Sequence, residues 1–170
     1  PNATYTFAID PPYVPNENPC GVYEREFEIS NVENDTYIVF EGVCTCVMLY
    51  INGSYVGYSQ GSHLQAEFNI TDYVQRGTNI ITAKVLRWCL GSYLEDQDFL
   101  KFNGIFRDVY LLSRPKGHIK DIDITTEDNN INIRFDGEAT IKLYDNGNLL
   151  DTKKAEGSVC FAVENPVLWN

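Results

Sequence analysis

At 170 residues and a formal charge of −11, the chain can bury a real core, and it is too acidic to attract phosphates. Nucleic acid and anionic membrane surfaces are thereby excluded as partners. No apolar run reaches the length of a membrane-spanning helix, and no secretory apolar region opens the chain. The 11 Tyr and 9 Phe suit half-buried β surfaces. Cys20, Cys44, Cys46, Cys89 and Cys160 are odd in number and lack framework spacing, so they read as reduced thiols in a cytosolic protein.

Residues 1–19 are extended and irregular, because Pro11, Pro12, Pro15 and Pro19 forbid a helix. The opening Pro1-Asn2 reads as a start inside a domain. Val22 to Ile29 alternates Tyr23, Phe27 and Ile29 with Glu24, Glu26 and Glu28, which predicts a half-buried strand. Arg25 falls on its inward face and is expected near a sheet edge or beside a carboxylate. Tyr37 to Phe40 is a second strand. Val47 to Ile51 and Tyr55 to Tyr58 flank Asn52-Gly53, a strong type I′ hairpin signal. Cys44 and Cys46 are expected on one strand face, as buried small hydrophobes rather than soft-metal ligands. Ala66 to Ile70 alternates again, Thr71-Asp72 caps one helical turn, and Asn79 to Trp88 is a long strand.

Then comes a long acidic loop holding Glu95, Asp96 and Asp98, before Ile105 to Leu112 resumes as a strand. Ser113 to Gly117 reads as a linker, dividing the chain into residues 1–114 and 115–170. Beyond it, five strands are expected: Ile119 to Thr125, Asn130 to Phe135, Ala139 to Tyr144, Leu149 to Thr152 and Val159 to Val163. Five are too few for a complete seven-stranded immunoglobulin-like sandwich. Short strands with turn signals and no convincing helix give an all-β fold class of β-sandwich type.

Order in so long and charged a loop is expensive, which marks it as functional or mobile. Its three acids point to contact with a polar ligand or hard cation, or else to a solvated loop; a glycosidase carboxylate pair is the weakest reading, because close neighbours on a loop fix no separation. Asp98 leads, since Phe99 could anchor the loop end. His63 and His118 read as surface or satisfied histidines. Trp88 reads as a core plug ahead of a sugar-stacking ring. Arg107 is expected buried and paired with a carboxylate or carbonyl. The sequons at Asn2, Asn34, Asn52 and Asn69 read as coincidental in an Asn-rich chain, Asn52 being explained by its turn.

Gly91-Ser92-Tyr93-Leu94-Glu95-Asp96-Gln97-Asp98 followed by Gly104-Ile105-Phe106-Arg107-Asp108-Val109 resembles the sugar-binding domain of glycoside hydrolase family 2, in its β-galactosidase branch. The likeness extends through the proline-rich stretch from Pro11 to Pro19, Phe40-Glu41-Gly42-Val43, Val56-Gly57-Tyr58, Val85-Leu86-Arg87-Trp88 and the closing Glu164-Asn165-Pro166-Val167-Leu168-Trp169. It implies a jelly-roll sugar-binding domain, short of an early strand, over 1–114. A partial immunoglobulin-like domain follows over 115–170, with a catalytic barrel after it. The implied bacterial, cytoplasmic parent hydrolyses terminal β-D-galactosides such as lactose with retention and uses Na⁺ and Mg²⁺. Its catalytic glutamates lie in the barrel, so this chain alone is expected to be inactive. By the resemblance, Asp98 contacts the galactosyl group and helps bind a monovalent cation, and Asn2 contacts the same sugar. Leu90 stands where relatives often carry a polar or acidic residue, which weakens any divalent site there, although Gln60 is retained. The residues alone leave open a stand-alone carbohydrate-binding module or a structural, adhesive sandwich pair. Unfinished sandwiches are further expected to self-associate through exposed sheet edges.

Overall fold

The computed structural model describes residues 11–95, 102–164 and 166. The chain forms two compact units, Pro1–Lys116 and Gly117–Asn170.

The first unit contains β1 (Cys20–Ile29), β2 (Asp35–Phe40), β3 (Val43–Cys44), β4 (Cys46–Ile51), β5 (Ser54–Gln60), β6 (Ala66–Asn69), β7 (Gly77–Leu86), β8 (Gly104–Ile105) and β9 (Val109–Arg114). Every pairing is antiparallel: one sheet runs β1-β7-β4-β5, a second β6-β2-β9, and β3 pairs β8. Alternation decides what goes inside. Val47, Leu49 and Ile51 of β4 and Ala83 and Val85 of β7 meet Ile38 and Phe40 of β2 in one buried cluster. The all-β sandwich expected from the sequence is the architecture observed.

Asn52 and Gly53 take φ of 51° and 80°, as a type I′ turn requires. The Asn52 side chain does more than turn the chain. Its Oδ1 accepts from the Ile80 amide at 2.9 Å, and its Nδ2 donates to the Tyr73 carbonyl and to Asn79 Oδ1. Asn79 is fully buried. Its Oδ1 also accepts from the Gln75 amide, and its Nδ2 donates to the carbonyls of Gln75 and Gly77. This one amide joins the hairpin, the stretch after the expected single turn (Thr71–Tyr73, a 3₁₀ turn) and the start of β7.

The strand expected over Ile105 to Leu112 is two strands. β8 pairs Cys44 with Gly104, β9 pairs Phe40 with Val109, and the chain breaks between them at Phe106-Arg107-Asp108. The break mirrors a bend at Glu41-Gly42, held by Glu41 N–H to Asp108 O at 3.0 Å and Phe106 N–H to Gly42 O at 3.2 Å. A Cβ at Gly42 would lie 2.8 Å from the Phe106 ring, so the bend needs a glycine. Cys44 and Cys46 likewise do not share a strand: β3 ends on one and β4 starts on the other, with Thr45 between. Both are buried, and none of the five cysteines is in a disulfide. Arg25 is exposed on β1, an outer strand of its sheet, as expected.

The second unit is a three-stranded sheet, β10 (Ile122–Glu127), β11 (Asn130–Asp145) and β12 (Asn148–Ala162), in that order. Three strands replace the five expected. Asn130 to Phe135 and Ala139 to Tyr144 are halves of β11, and Leu149 to Thr152 and Val159 to Ala162 belong to β12. Gly137, in the gap between those two expected strands, sits at a register shift between Arg134 and Glu138, and Gly157 of β12 shares its positive φ (83° and 75°). One face carries Ile122, Ile124, Ile133, Phe135, Val159 and Phe161; the other carries the Arg134–Asp123 and Lys154–Glu138 ion pairs.

Replacing Asn79 with Ala removes the partners of the Gln75 amide and two carbonyls in a partly buried place. The expected cost is on the order of 3 kcal/mol, read from the urea midpoint of the isolated chain. Burial, reinforced by the neighbouring Cys89 thiol, pushes the Cys46 thiol from 9.0 up to about 11. Below pH 9 neither state loses the proton. Between 9 and 11 the unfolded chain releases it first, so the folded state loses stability across that window. Cys46→Ala is expected to remove this component, roughly 2 kcal/mol at most, from the stability–pH curve measured up to pH 11.

Candidate functional site

The acidic loop is rooted where β7 ends, at Leu86 rather than at Trp88 as expected. Thr45 captures the chain beyond that point: its amide donates to the Leu86 carbonyl, and its hydroxyl to the carbonyls of Leu86 and Arg87 at 3.1 and 3.0 Å. The proline-rich segment then takes over the pairing. Pro19 O accepts from the Arg87 amide, and Asn18 brackets Trp88, accepting from its amide and donating to its carbonyl, both at 2.9 Å. Trp88 is therefore half-buried at the sheet's end, outside the core cluster, with the Arg87 guanidinium 4.8 Å from its ring centroid.

A 3₁₀ turn follows over Leu90–Tyr93. The Ser92 hydroxyl accepts from the Cys89 amide, Gly91 N–H donates to Gln60 Oε1 at 3.2 Å, and the Tyr93 hydroxyl donates to Tyr13 O at 2.5 Å. The divalent site implied near this turn finds a poor donor set. The Leu90 side chain offers no oxygen, and the Gln60 amide oxygen already accepts from the Gly91 amide.

Glu95 is the one loop acid among the described residues. It is not turned toward a ligand: Oε1 accepts from the Ser62 amide and Oε2 from the Ser62 hydroxyl, each at 2.6 Å. Ser62 is buried, so this is a charge-assisted anchor holding the loop's entry. At the exit, Phe102 stacks on Phe106 with centroids 5.0 Å apart and planes 22° from parallel, and His63 lies 5.3 Å from the same Phe106 ring. Arg107 is exposed rather than buried, because it falls in the break between β8 and β9; its Nη1 reaches the Glu41 carbonyl at 3.5 Å. Between entry and exit lies a cavity of about 150 Å³ lined by Thr45, Ser62, His63, Trp88, Glu95 and Phe102.

Asn2, Asp96 and Asp98 lie outside the described residues. Among the described residues, the fold brings together Glu95, Ser62, His63, Trp88 and Phe102 at the two ends of the loop. Ser62 and Asn18 were missed as frame residues. Asn18 carries a weak signal as the residue before Pro19, whereas an isolated serine 33 residues from its partner carries none.

The family model described as glycosyl hydrolases family 2, sugar binding domain, matches residues 1–115. The β-galactosidase of Actinobacillus pleuropneumoniae is 49% identical over 126 residues, covering 74% of this chain and 12% of that protein. That of Alteromonas mediterranea is 48% identical over 126 residues, 73% and 12% respectively. The chain thus spans about one eighth of the length of these curated relatives. Among solved structures, the Bacteroides uniformis β-glucuronidase aligns over 88% of this chain and 22% of its own, with a TM-score of 0.71 and 24% identity. The Bifidobacterium dentium β-glucuronidase complexed with coumarin-3-O-glucuronide aligns over 88% and 34%, with a TM-score of 0.68 and 22% identity. At such identities the glucuronidases speak for the fold alone. Both a match over two thirds of the chain and a frame built from the motifs of the acidic loop lead to one assignment: the chain belongs to glycosyl hydrolase family 2, through its sugar-binding domain.

Proposed function

We propose that this chain is a non-catalytic, sugar-binding and scaffold part of a cytoplasmic, bacterial β-galactosidase, completing the galactosyl subsite of a barrel carried by the longer polypeptide. The observation that carries this reading is the 49% identity to a β-galactosidase, against 24% and 22% for the two β-glucuronidase structures of similar fold described above. Asp98 and Asn2 are the contacting residues: a carboxylate accepts from sugar hydroxyls, and an amide both accepts and donates. The same carboxylate offers a hard oxygen to a monovalent cation such as Na⁺, with Mg²⁺ bound elsewhere in the parent. Residues 1–114 act as the jelly roll and 115–170 as part of an immunoglobulin-like domain.

Retaining hydrolysis needs two carboxyl groups about 5–5.5 Å apart across the bond. Glu95, already held by Ser62, is not free to be one of them. The chain's contribution is then binding energy expressed at the transition state, which raises kcat rather than lowering KM alone. Substituting this chain for its matching segment in the Actinobacillus pleuropneumoniae β-galactosidase gives an assayable chimera. Asp98→Ala there is expected to lower kcat/KM by about a hundredfold and abolish the response to Na⁺; near-normal kinetics would remove Asp98 from the subsite. Calorimetry on the isolated 170 residues should detect no galactose binding. Measurable affinity would favour an independent carbohydrate-binding module.

β1 and β9 are outer strands of their sheets, and both line an apolar groove of about 570 Å³ with Tyr23, Phe27, Phe40 and Leu111 on its walls. Among the described residues neither strand is paired along its outer edge, and such edges favour self-association. Light scattering of the isolated chain is expected to report a mass that rises with concentration, and a constant monomer mass would count against it.

A further inference from the structure

Two hairpins of this chain are built alike. Asn52-Gly53 joins β4 to β5 with φ of 51° and 80°, and Asn146-Gly147 joins β11 to β12 with φ of 46° and 84°. The closing pairs are Ile51–Ser54 and Asp145–Asn148, the next are Tyr50–Tyr55 and Tyr144–Leu149, and each ladder then shifts register. Both asparagines are exposed. Their side chains are not held alike. Asn52 accepts from the Ile80 amide and donates to the Tyr73 carbonyl and to Asn79, which is fully buried. Among the described residues, the Asn146 side chain has one bond, from Nδ2 to the neighbouring, exposed Asp145 carboxylate at 3.1 Å. β4 also lies between β5 and β7, whereas β10 pairs with β11 only as far as Phe135. The third Asn-Gly pair, Asn103-Gly104, stands outside this comparison, because Gly104 pairs with Cys44 in β8.

We propose that Asn146 is a deamidation site of the folded chain, and that Asn52, in a matching turn, is protected by its side-chain bonds. The reaction consumes only water. The Gly147 backbone nitrogen gives its proton to hydroxide and bonds to Asn146 Cγ; the Cγ–Nδ2 bond breaks, and ammonia leaves with a proton taken from water. A second water opens the five-membered imide at either carbonyl, leaving aspartate or isoaspartate at position 146. Glycine favours the ring closure, because no side chain crowds its nitrogen. The ring closes only after the turn opens and the amide swings away from its partners, so the rate follows the local opening free energy. At Asn146 that opening breaks one exposed side-chain bond. At Asn52 it breaks three, one of them to a buried amide. The product places a second negative charge beside Asp145, and the isoaspartate form adds a backbone atom to a two-residue turn.

The 170-residue chain, held in mildly alkaline buffer at physiological temperature, is followed at both asparagines by peptide mass spectrometry. Conversion at Asn146 is expected to run at least about tenfold faster than at Asn52, equivalent to ~1.4 kcal/mol in local opening. In guanidinium chloride strong enough to unfold the chain, the two rates should agree within about threefold, since the bonds that distinguish them are gone. Equal rates in the folded chain, including no conversion at either residue, overturn the proposal, as does a faster Asn52. A tenfold contrast that persists in the unfolded chain overturns it as well, because the flanking residues rather than the fold would then set the rates.

Discussion

Cys44 and Cys46, two residues apart, pair with opposite ends of the same excursion: Cys44 with Gly104 and Cys46 with Leu86. The chain between Leu86 and Gly104 must leave and return at one place, whatever its composition. Closing a loop of this length costs conformational entropy that grows slowly with length, so the closure depends on strong pairing at the base. That pairing is supplied by Thr45, which holds the departing strand through three bonds, and by the Gly42 bend, which receives the returning one. The base of the excursion is thus fixed by backbone pairing on both sides.

The consequence runs outward from that base in layers. Asn18 and Pro19 occupy the backbone of Arg87 and Trp88, which would otherwise be frayed strand end. Gln60 and Tyr13 hold the 3₁₀ turn, and Ser62 holds Glu95. Each tie reaches a different element: the proline-rich segment, the end of β5 and the turn after it. The proline-rich segment is therefore part of the scaffold of the loop. Its prolines keep it extended, so that Asn18 and the Tyr13 carbonyl meet their partners without helix competing for them.

Much of this fold is legible in the residues. Asn52-Gly53 names its turn and the alternation in β4 names its faces, whereas β1 is exposed along most of its length and Thr71 lies inside its 3₁₀ turn without capping it. What local pattern does not carry is which strand a segment pairs with. Ile105 to Leu112 alternates continuously, yet it is divided because its partner bends at Gly42. Gly137 looks identical as a turn or as a bulge, and only the matching Gly157 across the ladder makes it a bulge. The same limit governs the site. The acidic loop can be located from its charge, but not which acid is already spoken for. Glu95 looks as available as its neighbours until Ser62, distant in sequence and ordinary in type, is brought beneath it.

Position 90 shows how the frame tolerates a chemical change. A leucine there removes an oxygen that a cation could use, and the neighbouring turn is held by a neutral bond from Gly91 to Gln60. A neutral amide bond is weaker than a carboxylate–cation contact, but it needs no bound ion and no desolvated charge. The charged anchor is kept at Glu95, one turn further on, where Ser62 is buried and supplies two donors at once. The loop root is thus held by charge-assisted bonding at Glu95 and by neutral bonding before it. The strongest tie therefore sits at Glu95, where Ser62 is buried, and the turn before it rests on neutral bonds alone.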